Sequence, residues 1–140
     1  MTIRYNERVI THFLDPINAG VLEQPDGIGV VGDMTCGDMI VMQIHVREGR
    51  LAAIKYQVFG CVAAIATCSA LTEMAQNTTP DEALAITDDD VIRYLGGLPD
   101  LKTHCSTGAA SALHQAIADA RTHASAPIIP SAGDMYDDPM

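Results

Sequence analysis

Two hydrophobic periods divide this chain. From residue 28 to residue 59 apolar and polar positions alternate, and after residue 60 the apolar positions recur at helical spacing. In MIVMQIHV, residues 39 to 46, Ile40, Met42, Ile44 and Val46 fall on one side, and Val41, Gln43 and His45 on the other. In LAAIKYQVF, residues 51 to 59, Ile54, Tyr56 and Val58 oppose Lys55 and Gln57. Successive side chains of a pleated strand point to opposite faces, so this period predicts half-buried strands with one face on a core. IGVVGDM, residues 28 to 34, predicts a shorter strand before them. Between the two longer strands, Arg47-Glu48-Gly49-Arg50 is a hairpin turn signal.

The helical period brackets this block. Ile3, Val9, Ile10, Phe13 and Leu14 predict a short helix over residues 3 to 14. Asp15-Pro16 ends it, because a residue before proline avoids the helical region. Residues 16 to 27, rich in Gly, Pro, Asn and Asp, predict a loop. CVAAIATCSALTEMAQ, residues 61 to 76, lacks proline and carries little charge, which predicts a helix buried on most sides. Thr79-Pro80-Asp81-Glu82 starts a short helix to about Ala85, with a hydroxyl cap and proline in the first turn. Thr87-Asp88-Asp89-Asp90 starts another that ends at Gly96-Gly97. A last helix runs from Cys105 or Ser106 to about His123, with Leu113, Ala116, Ile117 and Ala120 on one face. The pattern makes residues 1–124 one domain. Residues 125–140, with three prolines and three acids, read as a flexible acidic tail.

Composition narrows the partners. The 140 residues are 48% apolar, enough to fold around a modest core. Formal net charge is −10, which argues against nucleic acid and against docking on anionic membrane. No apolar run is long enough to span a bilayer, and MTIRYNERVITHF lacks the apolar core of a signal peptide. A cytoplasmic location is expected. Thiols there stay reduced, so the four cysteines read as ligands, nucleophiles or core rather than disulfides.

The hairpin brings two cysteines together. A two-residue turn at Glu48-Gly49 places Cys36 opposite Cys61, just beyond the strand ends. Cys61 opens the alanine-rich helix and Cys105 opens the last one. A helix N-terminus carries partial positive charge and free N–H groups, which favour thiolate, the form that binds metal. Asp38 lies two residues after Cys36 and shares its face along an extended strand. His104 adds an imidazole beside Cys105. Three thiolates, a carboxylate and an imidazole suit zinc, or an iron–sulfur cluster with one labile ligand. The spacing is scattered and contains no C-x-x-C pair. From pattern alone, Asp38 reads equally as a turn residue, His104 as a packing or capping residue and Lys102 as a solvated surface lysine. Cys68 is seven residues along the helix from Cys61, about 10 Å away. It reads as a small core hydrophobe. His12, His45, His114 and His123 read as structural or exposed, and Met39, Met42 and Met74 as core.

The stretches YNERVITHFLDPINAG, VGDMTCGDMIVMQIHV, YQVFGCVAAIATCSALTEM, TPDEAL and GGLPDLKTHCS resemble the iron–sulfur cluster assembly scaffolds of the IscU type and the N-terminal domain of NifU. The C-G-D, F-G-C and H-C-S blocks together are specific. The resemblance implies an α+β fold: a small three-stranded antiparallel sheet with helices mainly on one face. It implies a scaffold rather than an enzyme. Such a scaffold takes ferrous iron, and sulfur from a cysteine desulfurase, builds a transient [2Fe–2S] cluster, and passes it to apo iron–sulfur acceptor proteins. Cys36, Cys61 and Cys105 match the cysteines that hold the cluster. Asp38 matches the labile fourth ligand, and His104 a substitute ligand. Lys102 matches a lysine at the same site, Cys105 the persulfide acceptor, and Tyr5 a tyrosine implicated in homodimer contacts. A frataxin-like protein belongs to the same implied partner set, and Zn2+ suits the same ligands in isolated protein. Three features depart from the family pattern. Val62-Ala63 replaces glycine-serine, and Cys68 takes a small polar position. Leu98-Pro99-Asp100-Leu101-Lys102 lacks the double proline read by an Hsp70-type chaperone. The alternative function is a zinc-dependent sulfurtransferase partner of a cysteine desulfurase. Those relatives carry an insertion between the second and third cysteines, whereas 43 residues separate Cys61 from Cys105 here.

Overall fold

A computed structural model of the chain describes residues 5–33, 38–98 and 107–125. A first helix, α1, spans Glu7–Leu14 and starts later than the hydrophobic period suggests. The Asn6 side chain sets that start by accepting the Val9 N–H at 2.9 Å. Three strands follow, β1 (Gly27–Asp33), β2 (Asp38–Arg47) and β3 (Arg50–Phe59), in the order β1-β2-β3 and antiparallel throughout. Then come α2 (Val62–Ala75), α3 (Pro80–Leu84), α4 (Asp88–Tyr94) and α5 (Thr107–Ser125). Helices α2 and α5 cover one face of the sheet and α1 packs on α2. This is the α+β arrangement expected from the sequence. Among the described residues no helix is long and apolar enough to cross a membrane.

The sheet face under the helices carries Ile40, Met42, Ile44, Ile54 and Tyr56, each at most 2% exposed. They meet Leu71 of α2 and Leu113 and Ile117 of α5, all buried. Cys68 is fully buried in this core, as its position in the apolar helix predicts. The turn at Glu48-Gly49 has φ of 55° and 76°, the left-handed pair a two-residue hairpin requires.

The expected register needs one correction. Arg47 pairs with Arg50 and Val46 with Leu51, but His45 then pairs with Ala53. Ala52 is the extra residue of a bulge on an edge strand. Its carbonyl accepts from Gln76 Nε2 at 2.7 Å, while Leu51 exchanges backbone hydrogen bonds with Asn77 and Thr78. The bulge shifts the ladder by one residue, so its last pair is Met39 with Phe59. Cys36, expected opposite Cys61 just beyond this end, lies outside the described residues.

Both sheet edges are occupied. Along β3, Gly20 N–H donates to Tyr56 O and Tyr56 N–H to Asn18 O. Along β1, the outward N–H of Ile28 donates to Asp119 Oδ2 at 2.9 Å and that of Val30 to Gln115 Oε1 at 3.3 Å. Side chains of α5 thus satisfy an edge that would otherwise template aggregation. The helix lies unusually close to the strand. A Cβ on Gly27 would stand 2.0 Å from Ala116 O, and one on Gly29 2.0 Å from Ala112 O.

Tyr56 is 1% exposed, and its hydroxyl has no hydrogen-bond partner among the described residues. The neighbouring Ser69 Oγ is already engaged by His12 Nδ1 at 2.7 Å and by the Ile17 N–H at 2.9 Å. Burial, reinforced by repulsion from Cys68, pushes the phenol up to about 12, with Ser69 opposing. The fold therefore favours the neutral phenol. That contribution is complete below pH ~10 and is lost as pH rises to ~12, at roughly 1.4 kcal/mol per pH unit. Tyr56→Phe is expected to lose stability less steeply than wild type in urea titrations between these limits. It should also be at least as stable at pH 7, since no bonded hydroxyl is removed. Parallel pH profiles for the two proteins would contradict this account.

Candidate functional site

The sheet has one end at the 47–50 turn and another at the Met39–Phe59 pair. At the second end Cys61 is the N-cap of α2, with φ −85° and ψ 178°. Its carbonyl accepts the Ile65 N–H at 3.1 Å, which starts the helix. Its thiol is partly exposed, free of any disulfide, and makes no capping hydrogen bond to a described residue. The surface helices α3 and α4 start differently. Each has a full capping box, Thr79 with Glu82 and Thr87 with Asp90. Helix α2 has no acid in its first turn, so no carboxylate of its own occupies its N-terminal N–H groups.

Asp38 is the first residue of β2, paired with Asp33 at the mouth of the β1–β2 hairpin. It stands one residue before the Met39–Phe59 pair, and Cys61 stands two residues after it. The start of α5 lies over the same end. A Cβ on Gly108 would be 3.1 Å from Ile40 Cδ1 and 3.5 Å from Val31 Cγ1, two residues inside Asp38 and Asp33. The chain therefore brings the first residue of β2, the N-cap of α2 and the first turn of α5 to one end of the sheet. Cys36, Lys102, His104 and Cys105 lie outside the described residues. Among the described residues no three His, Cys, Asp or Glu side chains form a cluster that would hold a metal.

The other residues singled out by sequence have defined places. Tyr5 is half-buried and packs against the core beside the α1 cap. Val62 is partly buried against the core. His12 bonds Ser69 and joins α1 to α2, while His45 Nε2 donates to Glu23 O at 2.8 Å and His114 Nε2 to Ile86 O at 3.1 Å. These three imidazoles are structural. No local signal points to the tie between the start of α1 and the end of α4. There Asn6 Nδ2 donates to Gly97 O at 3.2 Å and Arg8 Nη1 to Tyr94 O at 2.9 Å. The partners are about ninety positions apart, beyond the reach of any local pattern. Phe59 and Met39, the last pair at this end, are 69% and 44% exposed and give it an apolar surface.

The profile of the NifU-like N terminal domain family matches residues 4–126. Iron-sulfur cluster assembly scaffold protein IscU 1 of Archaeoglobus fulgidus is 51% identical over 115 residues, which cover 82% of this chain and 75% of that protein. The scaffold protein IscU of Aquifex aeolicus is 41% identical over 121 residues, covering 85% and 77%. Nitrogen fixation protein NifU of Nostoc is 42% identical over 121 residues, and the match spans only 40% of its length. Among solved structures, a NifU-like protein (N-terminal) from Brucella abortus superposes with a TM-score of 0.71 at 20% identity, covering 84% of this chain and 94% of that one. That likeness carries the fold alone. The family match over most of the chain and the identity to the IscU proteins together make this chain a member of the NifU-like N-terminal domain family, to which the IscU iron–sulfur cluster assembly scaffolds belong.

Proposed function

We propose that this chain is a scaffold for iron–sulfur cluster assembly, a carrier rather than an enzyme, with the nascent [2Fe–2S] cluster as its cargo. The observation that carries the reading is Cys61. It is a free, partly exposed thiol at a helix start without a side-chain cap, at the same end of the sheet as the first residue of β2 and the first turn of α5. Cys36 is two residues from Asp38, and Cys105 two residues from Thr107. Chain connectivity keeps each within about 7 Å of those backbone positions. Three thiolates from Cys36, Cys61 and Cys105 grip iron firmly. The Asp38 carboxylate is a harder donor that binds iron less well than sulfur does, and it leaves one exchangeable position. A store would use four thiolates, whereas a donor needs a weak link.

In this reading a cysteine desulfurase delivers sulfur to Cys105, and apo-proteins receive the finished cluster. His104 is an alternative ligand, Lys102 a cation at the same site, and Tyr5 a contact in self-association. A frataxin-like protein fits as a further partner. The absent double proline makes chaperone-driven release the weakest part of the partner set. The same donors suit zinc, so zinc in isolated protein would leave the reading intact.

The test is anaerobic reconstitution with ferrous iron, cysteine and a desulfurase, followed by transfer to apo-ferredoxin. Wild type is expected to acquire a visible cluster and pass it on. Asp38→Ala is expected to keep its cluster and transfer it about fivefold more slowly, a difference of roughly 1 kcal/mol in the barrier. If no cluster forms, and the protein instead speeds desulfurase turnover in a manner that needs zinc and Cys36, the protein is a sulfurtransferase.

A further inference from the structure

The segment that covers the β3 edge pairs with it at one residue and then leaves it. Gly20 N–H donates to Tyr56 O at 2.9 Å and Tyr56 N–H to Asn18 O at 3.3 Å, so residues 18–20 run parallel to β3 through a single bridge. Gly20, at φ +145°, then turns the chain away, and the Leu22 N–H donates to Gln43 Oε1 of the middle strand at 2.7 Å. Strand β3 continues without that cover. Residues two apart on a strand direct their backbone groups to the same edge, so Val58 presents its N–H and C=O outward as Tyr56 does. Neither group has a hydrogen-bond partner among the described residues. Beside this bare edge lies a groove of about 380 Å³ lined by Pro16, Ala19, Val58, Phe59 and Ile65, and none of its lining residues is charged. It ends at Phe59, two residues before the free thiol of Cys61. An unpaired edge next to an uncharged groove suits an extended peptide, whose main chain extends the sheet while alternate side chains enter the groove.

We propose that the β3 edge at Val58 docks an extended, uncharged segment of a basic partner protein, which adds as a strand beside β3 and so comes alongside Cys61. Charge decides whose segment it is. The chain carries a net charge of −10, and exposed Asp15 adjoins Pro16 at one end of the groove. A second copy brings the same negative charge, and the chain's own last residues bring Asp134, Asp137 and Asp138. Both are repelled, whereas a basic protein is drawn in. The docking rests on the fold alone. That the partner serves the Cys61 thiol rests on the scaffold reading above.

The test measures binding of the full chain to a cysteine desulfurase by calorimetry, with amide hydrogen exchange on the complex. The Val58 N–H should exchange at least about tenfold more slowly in the complex than in the free protein. Val58→Pro removes that N–H, which the β2–β3 ladder does not use, and should weaken binding at least about tenfold. Phe59→Ser keeps the backbone intact at an exposed position and should weaken binding about fivefold, which covers the case that proline disturbs β3. Val30→Ser, on β1 and 50% exposed, should bind as wild type. Raising ionic strength from about 0.05 to 0.5 M should weaken wild-type binding about tenfold. Wild-type affinity in both Val58→Pro and Phe59→Ser would overturn the proposal. Equal loss in Val30→Ser would overturn it in favour of a dock on the open sheet face. Protection of the Val58 N–H in free protein, lost on removal of residues 126–140, would make the chain's own tail the occupant. Protection that grows with protein concentration would make it a second copy, and either result overturns the proposal. A wild type that binds no desulfurase overturns it too, while reconstitution with ferrous iron and inorganic sulfide still decides the scaffold reading.

Discussion

Gly29→Ala is expected to lower stability by about 3 kcal/mol, a fall in Tm of roughly 10 °C for a domain of this size. The added Cβ would stand 2.0 Å from Ala112 O, 2.8 Å from Ala116 N and 2.9 Å from Gln115 Cβ. Two of these three atoms are backbone, so no side-chain rotation relieves the clash. Helix α5 would have to retreat by about 1 Å, and a packed core resists that. Retreat also stretches the bonds from the Val30 and Ile28 N–H groups to Gln115 and Asp119, which uncovers the β1 edge. Gly49→Ala is the control. It has no atom within 4 Å but a φ of +76°, so it should cost only about 1 kcal/mol through backbone strain. Thermal and urea denaturation of both variants decides the matter. A Gly29→Ala protein as stable as Gly49→Ala would mean that α5 does not sit against β1 as described.

Cys61→Ala is expected to retain the apo-fold and lose the cluster. The thiol makes no capping bond to a described residue, and alanine suits an alanine-rich helix start, so Tm should move by no more than about 2 °C. Cluster retention should fall by at least about tenfold, or roughly 1.4 kcal/mol, because one of three thiolates is gone. Cys68→Ala should behave in the opposite way. It is fully buried in the core and stands far from the helix start, so it should cost about 1 kcal/mol of stability and leave cluster binding intact. The pair separates ligand from packing on the same helix. Equal cluster retention in Cys61→Ala and wild type would remove the observation on which the scaffold reading stands.

The element list was legible because each signal is local. Alternation over residues 39 to 46 and 51 to 59 gave two strands, Glu48-Gly49 gave the turn, and Thr79 and Thr87 gave two capped helices, all where the structure has them. The burial of Cys68 followed from a helix apolar on most sides. Candidate ligands were legible through the resemblance carried by the C-G-D, F-G-C and H-C-S blocks, and only weakly through their spacing.

Other features lay beyond local reading. Gly27 and Gly29 looked like the end of a loop and the start of a short strand. Their meaning is a helix that approaches within a Cβ radius from some ninety residues away. The bulge at Ala52 depends on Gln76, Asn77 and Thr78, which are remote in sequence, so the turn alone misplaced the register by one residue. Asp88 read as one of three acids in a helix start, and only the burial of its Oδ1 distinguishes it from exposed Asp89. Period, capping and turn chemistry act over a few residues, so the sequence by itself determined which elements form and which faces they bury. Close approach, register and the meeting of the α2 and α5 starts at one sheet end depend on contacts between distant segments. Those were decided only when the chain closed on its core.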